Sequence, residues 1–342
     1  MRSFLKPTAG LVLLFALATS GCSADTPDSD SGAAASEAPS SSGAPPEESA
    51  ATVYAPYVSA LTSSDNDTAG SPAAYNLAFA IADDGACRAS WSGVYGVDDA
   101  TVADRIAELT DTGVPIRVSF GGASGDELAT HCDSAEELAE AYGEALDTAG
   151  ATRADFDIEG DELSDSDSVD LRSEAIALLQ QEREDLTVSF TLPVMPSGLD
   201  DDSVALLNSA NNHAVQVSTI NLMTMNYGES YDGDMGDYAL TAAEAAHTQL
   251  QDIFGTSSAA AWRGMALTSM IGVNDVDGET FTLQDAAQVR QFAEEKEIAW
   301  VSMWSTFRDQ ECEADNADED DAQTDCSGVE QGAGAFAEAF SG

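Results

Sequence analysis

Residues 155–160 read Asp155-Phe156-Asp157-Ile158-Glu159-Gly160, and this stretch predicts the central strand of the chain. Successive side chains of a β-strand point to opposite faces, so the three carboxylates share one face and the two apolar side chains share the other. Carboxylates crowded in a partly desolvated space raise one another's pKa. General acid catalysis requires such a carboxyl group, still protonated near neutral pH. The alternative is a solvated edge strand without a chemical role.

From Ala51 onward, short apolar or β-branched runs alternate with segments of helical periodicity on both sides of this strand. That alternation is typical of a parallel sheet covered by helices, and eight strands in this length predict an α/β fold, a closed (β/α)8 TIM barrel. An open doubly wound sheet is the alternative, but its glycine-rich phosphate turn after the first strand is absent. The predicted strands are 52–60, 75–82, 115–121, 154–159, 186–193, 219–227, 264–272 and 298–305, and the predicted helices are 98–112, 134–149, 168–184, 203–212, 241–254 and 283–296.

In such a barrel the functional site lies at the carboxyl ends of the strands. Predicted strand three ends in Ser119-Phe120-Gly121-Gly122, where paired glycines allow the backbone to approach a ligand closely. Strand six continues into residues 223–228, Met-Thr-Met-Asn-Tyr-Gly, and strand eight into Trp304-Ser305. Aromatic and carboxylate side chains at one barrel mouth suit a sugar, whose ring faces stack on aromatics while its hydroxyls form hydrogen bonds. Four further aromatics, each more often found in core packing than in an outer sugar subsite, are Tyr57, Trp91, Tyr231 and Trp262.

The N-terminal residues predict export. Arg2 and Lys6 precede an apolar run that ends in small residues before Cys22, so we expect a signal peptide over 1–21. A small-residue run that closes on cysteine is typical of a bacterial lipobox, which predicts lipidation of Cys22; an ordinary secretory signal is the alternative. Residues 22–50 are rich in Ser, Ala, Pro and Glu and predict a disordered tether, because they cannot bury enough apolar surface to fold. The folded domain is expected over 51–342.

The formal net charge is −50 at pH 7. Self-repulsion of this size destabilises a compact fold unless salt screens it, so we expect a salt-tolerant or salt-requiring protein. The same charge argues against nucleic acid, polyanionic substrates and anionic lipid surfaces as partners. A neutral polymer remains compatible, and contact with a membrane is expected through the N-terminal lipid alone.

Apart from Cys22 the chain has four cysteines, and an even number in an exported chain predicts two disulfides. Proximity in sequence pairs Cys312 with Cys326 and leaves Cys87 with Cys132. Zinc ligation is disfavoured, because no Cys-x-x-Cys pair occurs and the three histidines are scattered. The acidic runs 275–279 and 311–325 lack the full ligand spacing of a calcium loop and predict solvated surface. We expect no metal and no cofactor.

The paired motifs at Ser119–Gly122 and Asp155–Glu159 resemble those of glycoside hydrolase family 18, the chitinases and chitinase-like proteins. Met223 and Asn226 are similar in position to the strand-six motif Met-x-Tyr-Asp, and Trp304 is similar to the tryptophan that ends strand eight and floors the central sugar subsite. The resemblance covers residues 51–342, and an acidic motif preceded by the glycine motif one βα unit earlier is highly specific. Some members carry an extra α+β domain between strands seven and eight, for which residues 273–297 leave no room.

The resemblance implies a retaining, substrate-assisted hydrolysis of β-1,4-linked N-acetylglucosamine. Glu159 would protonate the glycosidic oxygen, and the substrate's own acetamido oxygen would attack the anomeric carbon to give an oxazolinium ion. Asp157 would orient the acetamido group, and Asp155 would share a proton or hydrogen bond with Asp157. Ser119, Gly121 and Gly122 are implied to support substrate binding.

The chain departs from the family pattern at strand six, where Met225-Asn226 stands in place of Tyr-Asp. Tyr227 follows one residue later on the opposite strand parity, and it would reach the substrate only if a bulge re-aimed it. The resemblance therefore leaves three functions open: a chitinase, an endo-β-N-acetylglucosaminidase acting on N-glycans, and a non-catalytic chitin-binding lectin. Non-catalytic relatives typically lose the terminal Glu of the acidic motif, so the presence of Glu159 favours the enzyme. We expect the protein to be a monomer. We expect it to be anchored on the bacterial cell surface or secreted.

Overall fold

The computed structural model describes residues 51–313 and 319–342. The predicted signal peptide, Cys22 and the tether at 22–50 lie outside the described residues, as does part of the acidic run 311–325. The strands are β1 Val53–Tyr54, β2 Tyr57–Ser59, β3 Tyr75–Asp83, β4 Ala86–Trp91, β5 Tyr95–Gly96, β6 Ile116–Gly121, β7 Arg153–Asp157, β8 Thr187–Pro193, β9 Val217–Met223, β10 Met265–Met270, β11 Gly272–Val273, β12 Thr280–Phe281 and β13 Trp300–Trp304. The helices are α1 Ala100–Asp111, α2 Ala135–Ala149, α3 Asp161–Ser164, α4 Ser166–Glu182, α5 Asp201–Asn212, α6 Met235–Phe254, α7 Ser258–Arg263, α8 Leu283–Lys296, α9 Glu319–Thr324 and α10 Ala335–Ser341, with 3-10 turns at Leu128–Thr130 and Thr306–Arg308.

The parallel strands follow the spatial order β3, β6, β7, β8, β9, β10, β13, and helices cover them on the outside, so the predicted (β/α)8 TIM barrel is confirmed. The predicted first strand is divided into two short strands at Ala55-Pro56. β1 pairs with β13, whereas β2 pairs with β3. Proline has no N–H to donate, so the ladder of strand hydrogen bonds is interrupted at Pro56 instead of closing continuously.

Backbone hydrogen bonds flank this interruption on both sides. Ala55 N donates to Val301 O at 2.9 Å, and Asn76 N donates to Pro56 O at 2.9 Å. The interrupted strand therefore still contacts both of its neighbours, which holds the first and last βα units of the barrel together.

Two hairpins were not predicted from the sequence. β4 and β5 extend β3 in antiparallel fashion, and β11 pairs with β12 between β10 and α8. The second hairpin and α8 fill the segment between the last two parallel barrel strands, which agrees with the prediction that no large extra domain lies there. Helix α6 begins at Met235, six residues before the predicted start, because the Asp234 side chain accepts a hydrogen bond from Asp237 N and caps it there.

The two predicted disulfides, Cys87–Cys132 and Cys312–Cys326, are present in the structure. The first joins β4 to the segment that precedes α2. Within the described part of the chain, no helix is long and apolar enough to cross a membrane.

A buried ion pair anchors the loop that follows β6. Glu127 is fully buried, and its Oε2 accepts hydrogen bonds from Arg172 Nε at 3.0 Å and Nη2 at 2.7 Å. Tyr142 Oη donates to Glu127 Oε1 at 2.5 Å, and Ala129 N donates to Oε2 at 2.9 Å. Because both oxygens of Glu127 are occupied, the pair fixes the loop between β6 and α2 at the barrel mouth.

Candidate active site

Strand β7 and the two residues after it carry the acidic motif to the barrel mouth. β7 ends at Asp157, but Ile158 N still donates to Thr191 O at 3.1 Å, so the alternation of side chains continues beyond the strand. Phe156 and Ile158 are fully buried on the helix-facing side, where the Phe156 ring stacks on Phe120 with centroids 5.3 Å apart. The carboxylates consequently face the barrel interior, as the strand periodicity predicts.

Asp155 lies deepest, and hydroxyl donors surround it. Its Oδ2 accepts from Tyr57 Oη at 3.1 Å and from Ser119 Oγ at 2.7 Å. Its Oδ1 accepts from Ser189 Oγ at 2.6 Å, and Thr191 Oγ1 lies within 3.0 Å of both oxygens. Ser119 and Ser189 are the strand-register neighbours of Asp155 on β6 and β8, so the sheet itself positions two of the donors.

Asp157 is buried, and its Oδ1 has no hydrogen-bond partner among the described residues. Burial, followed by the negative charges of Glu159 and Asp155, raises the pKa of Asp157 well above its ordinary value. Asp157 therefore takes up a proton more readily than an exposed aspartate does, and in its protonated form the carboxyl group can donate a hydrogen bond.

Glu159 lies at the mouth and is partly exposed to the cavity. Burial raises its pKa from 4.5 to about 7, and the negative charges of Glu162 and Asp275 contribute to the same direction. The sequence predicted a raised pKa from crowding within the acidic motif, whereas the principal cause is desolvation and the principal charged neighbours lie on other segments. A carboxyl group with this pKa can both release and accept a proton at neutral pH.

A cavity of about 350 Å³ opens above these carboxylates. Its lining combines carboxylates with aromatic and thioether side chains, a composition that suits a molecule with both polar and apolar faces. Its lining comprises Tyr57, Phe79, Ala123, Asp157, Glu159, Gly160, Thr191, Pro193, Val194, Met195, Asp200, Met223, Met225, Asn226, Thr268, Met270, Asp275 and Trp304.

Three aromatic side chains that line the cavity contact one another. The Trp304 ring stacks on Phe79 with centroids 5.4 Å apart. The Tyr57 and Trp304 rings pack edge to face, with centroids 5.8 Å apart. Trp304 and Phe79 remain partly exposed, and both line the cavity. Trp91, by contrast, is fully buried in the core, and the Trp262 ring stacks on His247 with centroids 3.9 Å apart.

The predicted glycines support the site rather than line its central cavity. Gly121 and Gly122 have φ of +91° and +93°, which L side chains rarely adopt. Gly122 N donates to Asp157 O at 2.9 Å, so the two strand ends are joined directly beside the carboxylates. A Cβ at Gly122 would lie 2.9 Å from the Phe79 ring, which explains the second glycine.

The strand-six residues are divided between the cavity and the core. Met223, Met225 and Asn226 line the cavity, but Tyr227 does not. Tyr227 is buried, with its ring 5.8 Å from Tyr231, and its hydroxyl has no partner among the described residues. The structure therefore brings together Asp157, Glu159, Met223, Asn226 and Trp304, with Asp155 and Ser119 directly beneath, and leaves Tyr227 outside.

Phe79 and Asp275 are among the cavity residues that the sequence motifs did not indicate. Phe79 lies on β3, and Asp275 lies on the loop after β11, which the sequence predicted as solvated acidic surface. The position of Asp275 shortly after the seventh parallel barrel strand was the available signal, because residues there lie at the barrel mouth. Among residues 51–313 and 319–342, no group of three or more His, Cys, Asp or Glu side chains could hold a metal ion.

The chain is similar in sequence to a probable bifunctional chitinase/lysozyme of Escherichia coli strain K12, with 32% identity over 276 residues, which covers 75% of this chain and 31% of that protein. It is also similar to endochitinase 11 of Metarhizium anisopliae, with 31% identity over 275 residues, 75% of this chain and 52% of that protein. The chain thus spans about a third of the first curated relative and about half of the second. No protein-family model matches it.

Among solved structures, the chain is similar to active domain 2 of a chitinase from Pyrococcus furiosus, described with catalytic-site mutants. The TM-score is 0.74 at 29% identity, over 84% of this chain and 93% of that one. A second structure of that domain, complexed with chito-oligosaccharides, gives a TM-score of 0.73 at 28% identity, with the same coverage.

Proposed function

Because this chain is a chitinase-like protein of glycoside hydrolase family 18, we propose that it hydrolyses β-1,4-linked N-acetylglucosamine polymers with retention of configuration. The observation that carries the proposal is Glu159 at the cavity mouth, with its pKa raised to about 7 and with the buried Asp157 carboxyl group beside it. Sugar units would occupy the cavity, which aromatic side chains line, and a pyranose ring would stack on Trp304.

In the first step, protonated Glu159 donates its proton to the glycosidic oxygen as the bond from that oxygen to the anomeric carbon breaks. The acetamido oxygen of the sugar forms the new bond to the anomeric carbon, giving an oxazolinium ion. Asp157, in its carboxylate form, accepts a hydrogen bond from the acetamido N–H, which orients the acetamido group and stabilises the positive charge of the oxazolinium ion. Asp155, held by its hydroxyl donors, fixes the position of the acidic strand behind Asp157.

In the second step, a water molecule gives a proton to the Glu159 carboxylate while its oxygen attacks the anomeric carbon. The bond to the acetamido oxygen breaks, and the sugar hydroxyl forms on the face that the leaving group occupied. The nucleophile belongs to the substrate, so a polymer without N-acetyl groups would not be cut by this route.

Internal cleavage is part of the proposal. A second cavity of about 540 Å³ adjoins the first and shares Ala123, Glu159 and Gly160 with it. Sugar units can then lie on both sides of Glu159, as an endo-acting enzyme requires.

Export is also part of the proposal, with cleavage of the signal peptide before Cys22, a lipid anchor on Cys22 and the tether 22–50. The two disulfides are consistent with an oxidising compartment.

The test is product analysis on chitin oligosaccharides at high salt, comparing the wild-type domain with Glu159→Gln. We expect the wild type to release products with retained configuration, and the variant to bind the oligosaccharide but lose at least about a thousandfold in rate. Glu140→Gln is the matched control, because Glu140 is exposed on α2, away from the cavity. Binding without cleavage by the wild type would identify a lectin; absence of both would direct the search to N-glycans.

A further inference from the structure

Asn226 follows β9 in a left-handed backbone conformation, with φ of +54°. Among non-glycine residues, Asn and Asp adopt this conformation most readily, so few side chains are compatible with the turn. The turn brings Asn226 to the cavity, while its neighbour Tyr227 enters the core.

Asn226 and Asp275 form two reciprocal hydrogen bonds. Asn226 Nδ2 donates to Asp275 Oδ2 at 3.1 Å, and Asp275 N donates to Asn226 Oδ1 at 3.1 Å. One contact holds the backbone of residue 275, and the other holds its carboxylate. Two contacts on one residue fix the direction of the Asp275 side chain, although it lies on an exposed loop.

Asp275 and Glu159 line the same cavity, and no Lys, Arg or His side chain of the described residues lines it with them. The negative charge of Asp275 acts on Glu159 across the cavity, while buried Arg308, which does not line the cavity, also interacts with Asp275. The charge of Asp275 contributes to the raised pKa of Glu159, after burial and Glu162.

We propose that Asp275 supplies the carboxylate that acts on Glu159 across the cavity, in place of the missing carboxylate of strand six, and that Asn226 is the positioning residue that holds it. The proposal rests on the proposed function for the role of Glu159 as the acid. In the strand-six motif the carboxylate stands at the position of Asn226, whereas here the carboxylate belongs to Asp275 on another loop and is hydrogen-bonded to the Asn226 amide.

Other charged groups also act near Glu159 and are kept constant in the test. They comprise Asp157 on β7, Glu162 on α3 and Asp200 before α5, with Asp126, His131, Asp161 and Asp165 in the adjoining cavity, and buried Arg308, which interacts with Asp275. A change at residue 275 alone leaves all of them in place.

The experiment measures the titration of Glu159 directly, by ¹³C NMR of the glutamate-labelled domain, with the resonance assigned by Glu159→Gln. The pH profile of chitin oligosaccharide hydrolysis is recorded on the same proteins at one salt concentration. Three variants are compared with the wild type: Asp275→Asn, Asn226→Asp and the double exchange Asn226→Asp/Asp275→Asn. Asp277→Asn is the matched control, because it removes the same charge from the same loop outside the cavity.

We expect Asp275→Asn to lower the Glu159 titration midpoint by roughly half a pH unit, and the basic limb of activity to move with it. Asn226→Asp should raise the midpoint, because it adds a second carboxylate and loses the hydrogen bond to Asp275. The double exchange should return the midpoint close to the wild-type value, since the amide and the carboxylate again face each other. Asp277→Asn should leave it unchanged.

An unchanged midpoint in Asp275→Asn, or an equal shift in Asp277→Asn, would overturn the inference. Failure of the double exchange to reverse the single shifts would also overturn it. If the wild type does not hydrolyse the oligosaccharide while the midpoints move as expected, the proposed function fails and the Asn226–Asp275 relationship stands.

Discussion

Gly121 lies directly against the main-chain carbonyl of Asp157: a Cβ on residue 121 would meet that oxygen well inside van der Waals contact. The obstacle is backbone, which cannot rotate away as a flexible side chain can. The end of β6 and the end of β7 therefore approach each other at this point only because residue 121 has no side chain.

Gly121→Ala should consequently displace Asp157 and destabilise the domain by about 2–4 kcal/mol, through both steric conflict and the φ of +91°. Hydrolysis should fall further than stability explains, because Asp157 moves. Urea unfolding and activity on chitin oligosaccharides measure the two effects. Gly113→Ala is the control: its φ is +78°, but nothing lies within 4 Å of the added Cβ. Equal losses in the two variants would refute the argument from contact with Asp157.

The buried pair Glu127–Arg172 should be far more sensitive to removal of one partner than an exposed pair. Arg172→Met leaves the fully buried Glu127 carboxylate without its bidentate partner, and we expect a loss of about 3–5 kcal/mol. Arg183→Met, which breaks the exposed pair with Asp147, should cost at most about 1 kcal/mol. Denaturant unfolding of both variants tests this, and similar losses would contradict it.

The hydroxyl donors to Asp155 offer a test within the barrel. Ser189 and Ser173 are equally buried, but Ser189 donates to a carboxylate at 2.6 Å and Ser173 to the main-chain carbonyl of Val169 at 3.0 Å. Ser189→Ala should cost about 1.5–3 kcal/mol and Ser173→Ala about 1 kcal/mol or less, since hydrogen bonds to charged groups are stronger. Urea midpoints of the two variants measure the difference. A larger effect at Ser173 would argue that the Asp155 contacts are not a source of stability.

The alternating strand and helix pattern was sufficient to predict the barrel, because the apolar residues of each strand and each helix recur at a spacing that can be read from a short segment of sequence. The acidic motif predicted which side chains of β7 face inward for the same reason. The division of the first strand at Pro56 and the hairpin β11–β12 depend on pairing between distant segments, which a local period does not contain.

Strand six illustrates the limit more sharply. The sequence prediction treated residues 219–227 as one extended strand, in which Tyr227 and Asn226 point to opposite faces. A bulge would then be needed to bring Tyr227 to the substrate. β9 ends at Met223, and the left-handed backbone of Asn226 turns the chain. The alternation of side chains along a strand therefore no longer determines where Tyr227 points. Asp275 was missed because its contact with Asn226 joins loops 49 residues apart.

The pKa of Glu159 predicts how stability and activity change with pH. The folded-state value of about 7 exceeds the ordinary value of 4.5, so folding favours the protonated form. The stabilisation from this group is complete below about pH 4.5 and is lost as pH rises through about 7. The loss is at most ~3.5 kcal/mol, since each pKa unit corresponds to about 1.4 kcal/mol. Hydrolysis should fall over the same upper range, because Glu159 must begin the cycle protonated.

Glu159→Gln removes this titration while it keeps the shape of the side chain. We therefore expect the variant and the wild type to have similar free energies of unfolding at pH 4.5, and the variant to be more stable at pH 8. Urea unfolding at the two pH values, at constant salt, measures the difference, and Glu140→Gln on the exposed face of α2 serves as the control. A wild type that gains stability relative to Glu159→Gln as pH rises would mean that Glu159 is ionised at little cost in the folded state, and the assignment of Glu159 as the general acid would lose its physical basis.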